Sequence, residues 1–148
     1  MTYEQWDAIA DAYIPLIGCI SLIVILITGF RSGLRTGTKQ LLATLVSTLY
    51  IYALMFADNY FQIWPSFGMD YSTHTALALV FVTYLFTHSK ALKWVSVASM
   101  IAYAILMMYQ HYHTFSDIIT TALCVLPVLW LCQTRLVKGL NTTLRLTN

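Results

Sequence analysis

Two histidine–aspartate pairs stand out in a chain that has only six acidic residues and four histidines. His113 precedes Asp117 by four residues, and His74 follows Asp70 by four. Residues four apart on a helix share a face, so Asp117 is expected to hydrogen-bond one ring nitrogen of His113. The other nitrogen can then act as a nucleophile or base. His74 is expected to be the acid that protonates a leaving oxygen.

Polar residues around the two pairs are the expected contacts of an anionic substrate. The backbone N–H groups at a helix start, together with nearby hydroxyl groups, form a natural anion site. A protonated histidine adds positive charge to such a site. The expected substrate contacts are Asp70, Ser72, Thr73, His111, Thr114 and Ser116.

The elements that carry these residues are expected to lie in a membrane. The chain is 59% hydrophobic and 9% charged, with a mean hydropathy of +0.70. A soluble domain carries about a quarter charged residues, because it needs polar surface to stay dispersed. The net charge of +2 gives no basis for a nucleic-acid partner.

Five apolar segments have lengths near the roughly 20 residues that a helix needs to cross a bilayer. The predicted spans are 12–30, 40–57, 72–87, 94–109 and 115–133. The sequence therefore predicts one all-α domain over residues 1–148, a polytopic bundle of five transmembrane helices.

The charges alternate between the two sides of this predicted bundle. All eight basic residues fall on one side, namely Arg31, Arg35, Lys39, Lys90, Lys93, Arg135, Lys138 and Arg145. All six acids fall on the other side, namely Glu4, Asp7, Asp11, Asp58, Asp70 and Asp117. Basic loops stay in the cytoplasm, so we expect the N-terminus outside, the C-terminus inside and the histidine pairs at the outer face. Short outer loops without a glycosylation sequon favour a bacterial inner membrane.

Two short motifs carry a resemblance to a known family. Residues 72–76, Ser-Thr-His-Thr-Ala, resemble the Ser-Gly-His-Thr motif of the type 2 phosphatidic acid phosphatase superfamily. Residues 113–118, His-Thr-Phe-Ser-Asp-Ile, resemble its His-x-x-x-Asp motif and the related motif of sphingomyelin synthases. The resemblance covers residues 70–128. It implies that His113 is the nucleophile that takes up the phosphoryl group, that Asp117 orients it and that His74 protonates the leaving alcohol. It implies a membrane lipid as substrate, and neither a metal nor another cofactor.

The chain departs from that family where the family binds phosphate through Lys and Arg. Residues 58–71 contain neither, and Met107 occupies the position of an expected Arg. The family typically has six helices, whereas five are predicted here. A site without these cations suits one negative charge better than two. The sequence therefore favours a phosphodiester lipid over a phosphomonoester.

Two other functions remain open from the sequence. In one, a metal-dependent membrane hydrolase holds Zn²⁺ and uses a bound water as the nucleophile. Its possible ligands are Asp70, His74, His111, His113 and Asp117. In the other, the protein is a catalytically degenerate accessory factor that binds lipid or another membrane protein. The sequence leaves the lipid, the acceptor and the oligomeric state undetermined.

Overall fold

The computed structural model describes residues 2–136, and all regular structure in that part of the chain is helical. The predicted all-α class is therefore confirmed. The five principal helices are α1 (Tyr3–Ser32), α2 (Leu34–Phe61), α3 (Thr73–His88), α4 (Lys90–Tyr109) and α5 (Phe115–Leu131). A short 3₁₀ turn spans Pro65–Phe67, and a π-helical turn, Cys132–Leu136, continues α5.

Four of these helices, α1, α2, α4 and α5, are long and apolar enough to cross a membrane. Helix α3 has 16 residues, a length of about 24 Å, which is shorter than the roughly 30 Å hydrocarbon core of a bilayer. The predicted third span is thus a helix, but one too short to cross alone. The composition and the four long helices indicate a multi-pass membrane protein.

Helix α3 lies at the centre of the bundle and contacts each of the other four helices. Side chains on all of its faces are buried, including Ala76, Val80 and Tyr84. The other helices instead expose large apolar side chains such as Leu49 and Ile105, as lipid-facing surfaces do. Neighbouring helices surround α3, so lipid thickness does not determine its length.

The predicted cytoplasmic loop between the first two spans is mostly helical. Only Gly33, with φ of 95°, separates α1 from α2. Helices α1 and α2 continue beyond their apolar segments. Polar residues end the hydrophobic segment, but they are compatible with a helix and do not end it. Of the predicted cytoplasmic cations, Lys39 is buried, whereas Lys138 and Arg145 lie outside the described residues.

Helices α1 and α2 approach each other closely at two glycines. A Cβ atom added at Gly37 would lie 2.8 Å from the Cα of Gly29 and 3.2 Å from the carbonyl oxygen of Ile25. Both neighbours are backbone atoms, which cannot move without shifting a helix. This approach requires glycine at position 37.

We expect Gly37→Ala to destabilise the protein by about 1–3 kcal/mol, because the new methyl group forces α1 and α2 apart. Gly29→Ala is the matched control, since a Cβ there meets its nearest atom at an ordinary 3.7 Å. Reversible unfolding in mixed micelles measures both. Equal losses from the two variants would contradict this account of the crossing.

The helix starts that carry the predicted site lie at one end of the bundle. The side chain of Asp7 near the start of α1 accepts a hydrogen bond from Tyr112, and His74 lies beside His113. The N-termini of α1, α3 and α5 therefore meet. The described Lys and Arg residues lie towards the opposite end, at the termini where α2 and α4 begin and α1, α3 and α5 finish.

Candidate functional site

The structure brings the two histidines of the predicted site together. The ring centroids of His74 and His113 are 6.3 Å apart, and their planes are inclined by 52°. His74 is the second residue of α3, and His113 lies in the loop that precedes α5. The two imidazoles are therefore neighbours at the same end of the bundle.

The Asp117 carboxylate does not make the predicted hydrogen bond to His113. Its Oδ2 atom accepts from the N–H and the hydroxyl of Thr114, both at 2.8 Å. Its Oδ1 atom accepts from the N–H of Asp70, also at 2.8 Å. Asp117 is buried and forms a capping box with Thr114 at the start of α5. The hydrogen bond from the Asp70 N–H therefore links the loop that contains Asp70 to the start of α5.

The reason for the difference is the position of His113 relative to the helix. Thr114 is the N-cap of α5, so His113 precedes the helix and the four-residue rule does not apply to it. At the third helical position, a carboxylate folds back onto the N-cap. The Nδ1 atom of His113 is buried and has no hydrogen-bond partner within residues 2–136.

The surroundings of His113 keep its imidazole neutral. Burial lowers the pKa of His113 below its usual 6.5, and the nearby His74 lowers it further. The charges of Asp117 and Asp70 oppose this shift without cancelling it. A neutral imidazole has an unprotonated ring nitrogen, which is the form of histidine that can act as a base or nucleophile.

We expect the lowered pKa of His113 to appear in the pH dependence of stability. The unfolded state binds a proton more readily below pH 6.5, so this histidine's contribution is fully present above that pH. It is lost as the pH falls through the lower folded-state pKa. Unfolding measured across this acidic range should show a weaker pH dependence for His113→Gln than for the unmodified protein. An unchanged slope would contradict the burial of this imidazole.

The hydroxyl of Ser72 is not available to a substrate, contrary to the prediction. Ser72 is completely buried, and its side chain donates to Thr75 Oγ1 at 2.8 Å and accepts the N–H of Thr75. Its own N–H donates to Thr121 Oγ1 at 3.0 Å. Ser72 therefore caps α3 and joins it to α5. It positions His74 two residues later.

Three of the other predicted contacts, Asp70, His111 and Thr114, border an open cleft of about 310 Å³ beside His113. Its lining consists of Asp70, Met108, His111, Tyr112, His113, Thr114, Phe115 and Asp117. His111 is exposed and has a left-handed backbone with φ of 59°, which turns the chain after α4. Thr73 is half-buried and Ser116 is exposed, and neither lines the cleft. His74 adjoins the cleft through its contact with His113.

Sequence reasoning missed the residues that anchor the loop before α5. The Tyr112 hydroxyl donates a hydrogen bond to the carboxylate of Asp7, 105 residues away in sequence. The side-chain amide of Gln110 donates to the same oxygen at 3.4 Å. The Tyr112 ring also stacks on His74 at 6.5 Å. The placement of Asp7 among the outer acids was the only sequence signal for this contact.

A second missed residue is Trp64, in the loop between α2 and α3. It is buried, its indole N–H donates to Thr120 Oγ1 at 3.1 Å, and its ring packs edge-on against Tyr71 at 5.0 Å. Its backbone N–H donates to Asp58 Oδ1 at 2.8 Å. These contacts hold the loop across the start of α5, where Asp70 meets Asp117.

The predicted zinc ligands do not converge on a metal position. Within residues 2–136, no group of three or more His, Cys, Asp or Glu side chains is placed to hold a metal ion. Both carboxylate oxygens of Asp117 already accept hydrogen bonds. The metal-dependent alternative therefore finds no support in the geometry.

Comparison with known proteins places the chain in no family. It matches no family model, no curated protein and no solved structure.

Proposed function

We propose that the protein is a membrane lipid phosphatase or phospho-headgroup transferase that acts on a phosphodiester through His113 and His74. The observation that carries this proposal is the 6.3 Å approach of the two imidazoles at adjoining helix starts. His113 lines the cleft and His74 lies next to His113, so the two imidazoles can provide a nucleophile and a general acid. The proposal also draws on the resemblance to the type 2 phosphatidic acid phosphatase superfamily.

In the proposed reaction, the Nε2 atom of His113 attacks phosphorus, since the Nδ1 atom is buried. The bond from phosphorus to the leaving oxygen breaks, and His74 gives that oxygen its proton. Water or an alcohol, deprotonated by His74, then attacks phosphorus and releases His113. The nearby Asp117 stabilises the phosphoimidazolium through its charge rather than through a hydrogen bond.

The charges of the cleft favour a substrate with one negative charge. Its lining contains no Lys or Arg and two carboxylates, Asp70 and Asp117, so a substrate with one negative charge is repelled less than a dianion. The first N–H groups of a helix have no intrahelical acceptor, so the N–H of Phe115, the first residue of α5 and part of the cleft lining, is suited to bind a phosphate oxygen. A neutral donor suits a diester monoanion.

We place this end of the bundle on the outer side of the membrane. The support is the concentration of basic residues at the opposite end, which favours the cytoplasm. A bacterial inner membrane, with the site in the periplasmic leaflet, fits this orientation. The substrate then comes from the outer leaflet of that membrane.

Headgroup release by the purified protein tests the proposal. Phosphatidylglycerol and sphingomyelin vesicles supply diesters, and phosphatidic acid vesicles supply a monoester. We expect release or exchange from a diester, together with a covalent adduct on His113 in rapidly quenched samples whose phosphorus still carries the second ester group of the lipid. Turnover of the monoester alone would reject the phosphodiester assignment. A comparison of lipids from cells with and without the protein would identify the natural headgroup.

A binding function without catalysis is the alternative that one specific observation favours. Asp117 is occupied in capping α5 and contacting Asp70, so it does not fix the tautomer of His113. A lipid- or protein-binding accessory factor needs the cleft but not the nucleophile. The test compares cells that make the unmodified protein with cells that make His113→Ala at the same level. If both show the same phenotype, the binding function replaces the enzymatic one.

A further inference from the structure

An apolar groove runs through the membrane part of the bundle, outside the histidine site. It has a volume of about 510 Å³, within the range of small-molecule sites. Its floor is α3 and its walls are α4 and α5. Its lining is almost entirely apolar and includes Phe86, Val97 and Trp130.

The groove and the histidine cleft lie along one seam between the same two helices. Helices α3 and α4 pack together, as do α3 and α5, but α4 and α5 make at most marginal contact with each other. The far end of α4 and the start of α5, through Met108 and Phe115, border the histidine cleft. The two spaces share no lining residue, so a ligand with its phosphate beside His113 must follow the seam across the stretch between them to reach the groove.

The far end of the groove is closed by an aromatic pair. The rings of Phe86 and Trp130 lie 5.7 Å apart at an angle of 70°, and the Lys93 ammonium lies 4.4 Å from the centre of the Phe86 ring. Beyond this pair is a polar cleft of about 410 Å³, which Gln40 and Gln133 help to line. Phe86 and Trp130 border both spaces, so they separate the apolar groove from the polar end of the bundle.

The length of the seam matches one leaflet. Phe86 follows His74 by twelve residues, which is about 18 Å along α3. Half of a bilayer's hydrocarbon core is about 15 Å thick. A chain about as long as one leaflet is thick, with its headgroup beside His74, therefore ends close to Phe86 and Trp130.

We propose that one acyl chain of the lipid that reacts at His113 lies in this groove, and that the Phe86–Trp130 pair sets its maximum length. This inference rests on the proposed function and adds to it the selection of substrate by chain length. A partner helix is a poorer occupant, because a helix about 10 Å wide fills roughly 400 Å³ per turn, so the groove holds little more than one turn. A flexible single chain fits a narrow seam.

Competition among lipids of different chain length tests this proposal. The purified protein is offered an equimolar mixture of symmetric phosphatidylglycerols with lauroyl, myristoyl, palmitoyl and stearoyl chains, and native mass spectrometry measures the bound species. We expect the unmodified protein to bind the longest chains less well than their share of the mixture. Trp130→Ala removes the end of the groove, and we expect it to raise the ratio of stearoyl to myristoyl lipid bound by about tenfold.

Two further variants keep the test decisive. Val97→Phe fills the groove one helical turn above Lys93, so we expect it to shift the bound lipids to shorter chains even if Trp130→Ala fails to fold. Trp94→Ala removes an exposed tryptophan outside the groove and should leave the distribution unchanged. Three results would overturn the proposal. The first is an equal chain-length distribution of bound lipid in all folded variants, and the second is a shift of the same size with Trp94→Ala. The third is a protein that retains only sterol or another protein and no phosphatidylglycerol.

Binding and turnover separate this inference from the proposed function. The chain-length preference is measured on His113→Ala as well, because lipid retention does not require the nucleophile. Headgroup turnover with no chain-length response to Trp130→Ala or Val97→Phe overturns the groove assignment alone. A chain-length response in a protein that turns over no lipid supports the groove as a lipid site and rejects the enzymatic function.

Discussion

Replacing His113 with alanine is expected to lower lipid headgroup release by at least about a thousandfold, because the variant lacks the atom that attacks phosphorus. The side chain lies in a loop and is only half-buried, so the helical bundle should survive the change. Initial rates from defined vesicles, with circular dichroism on the same samples, measure activity and folding together. Loss of activity without loss of helix is the expected result.

The matched control is His88→Ala. His88 is an exposed histidine at the opposite end of α3, next to the Tyr84 ring at 5.8 Å, and it lies outside the histidine cleft. We expect its removal to change the rate by less than about twofold, as for a surface residue distant from the chemistry. Comparable rates for His113→Ala and His88→Ala would leave the nucleophile unassigned and remove the basis of the enzymatic proposal.

Replacing Asp117 with alanine is expected to cost about 2–4 kcal/mol of stability, because three donors lose their acceptor at a buried position. Two of them belong to Thr114 and hold the start of α5, and the third is the N–H of Asp70. Asp117→Asn keeps one acceptor oxygen, so we expect it to lose about half as much. Reversible unfolding in mixed micelles measures both changes.

The same variants separate two roles of Asp117. Ser116→Ala is the control, since Ser116 is exposed on the same turn and should change stability by less than about 0.5 kcal/mol. An Asp117→Ala protein that unfolds like the unmodified one, but has lost turnover, would show that the carboxylate acts mainly on His113. That outcome would contradict the capping role seen in the structure.

The site shows how a motif can serve the fold and the proposed chemistry together. The carboxylate of Asp117 is positioned by the helix start and by the loop at Asp70, and its charge still acts on His113. The loop before α5 is in turn anchored to α1 by Tyr112 and Asp7. Three distant chain segments therefore determine where a single imidazole lies. We expect substitutions at Tyr112 or Asp7 to change the position of His113 in the cleft.

Much of the architecture follows from the order of residue types along the chain. Long apolar segments and the scarcity of charge predict the membrane helices, because backbone groups in lipid are satisfied within a helix. The alternation of acidic and basic loops places His74 and His113 at the same end of alternate spans. Their approach to 6.3 Å agrees with that placement. The bounds of α1 and α2 were less predictable, because these helices extend past the apolar segments.

The partners of individual polar atoms were not predictable from spacing. The interval between His113 and Asp117 suggests a hydrogen bond, but whether the interval lies within a helix depends on where α5 begins. The serine of the first motif, Ser72, is turned inward to cap α3 and to bond Thr121. Such choices depend on competing donors and acceptors that meet only when the helices pack.

The sequence by itself determined the all-helical membrane class and the gathering of two histidines at one end of the bundle, since both follow from hydropathy and from the alternation of helix direction. Only the tertiary structure decided that Asp117 caps a helix, that Asp7 anchors Tyr112, and that α4 and α5 leave a groove over α3. The physical reason is that hydrogen bonds and gaps depend on distances of a few ångströms between segments far apart in the chain. Hydropathy acts over whole helices, whereas these contacts are fixed only by packing.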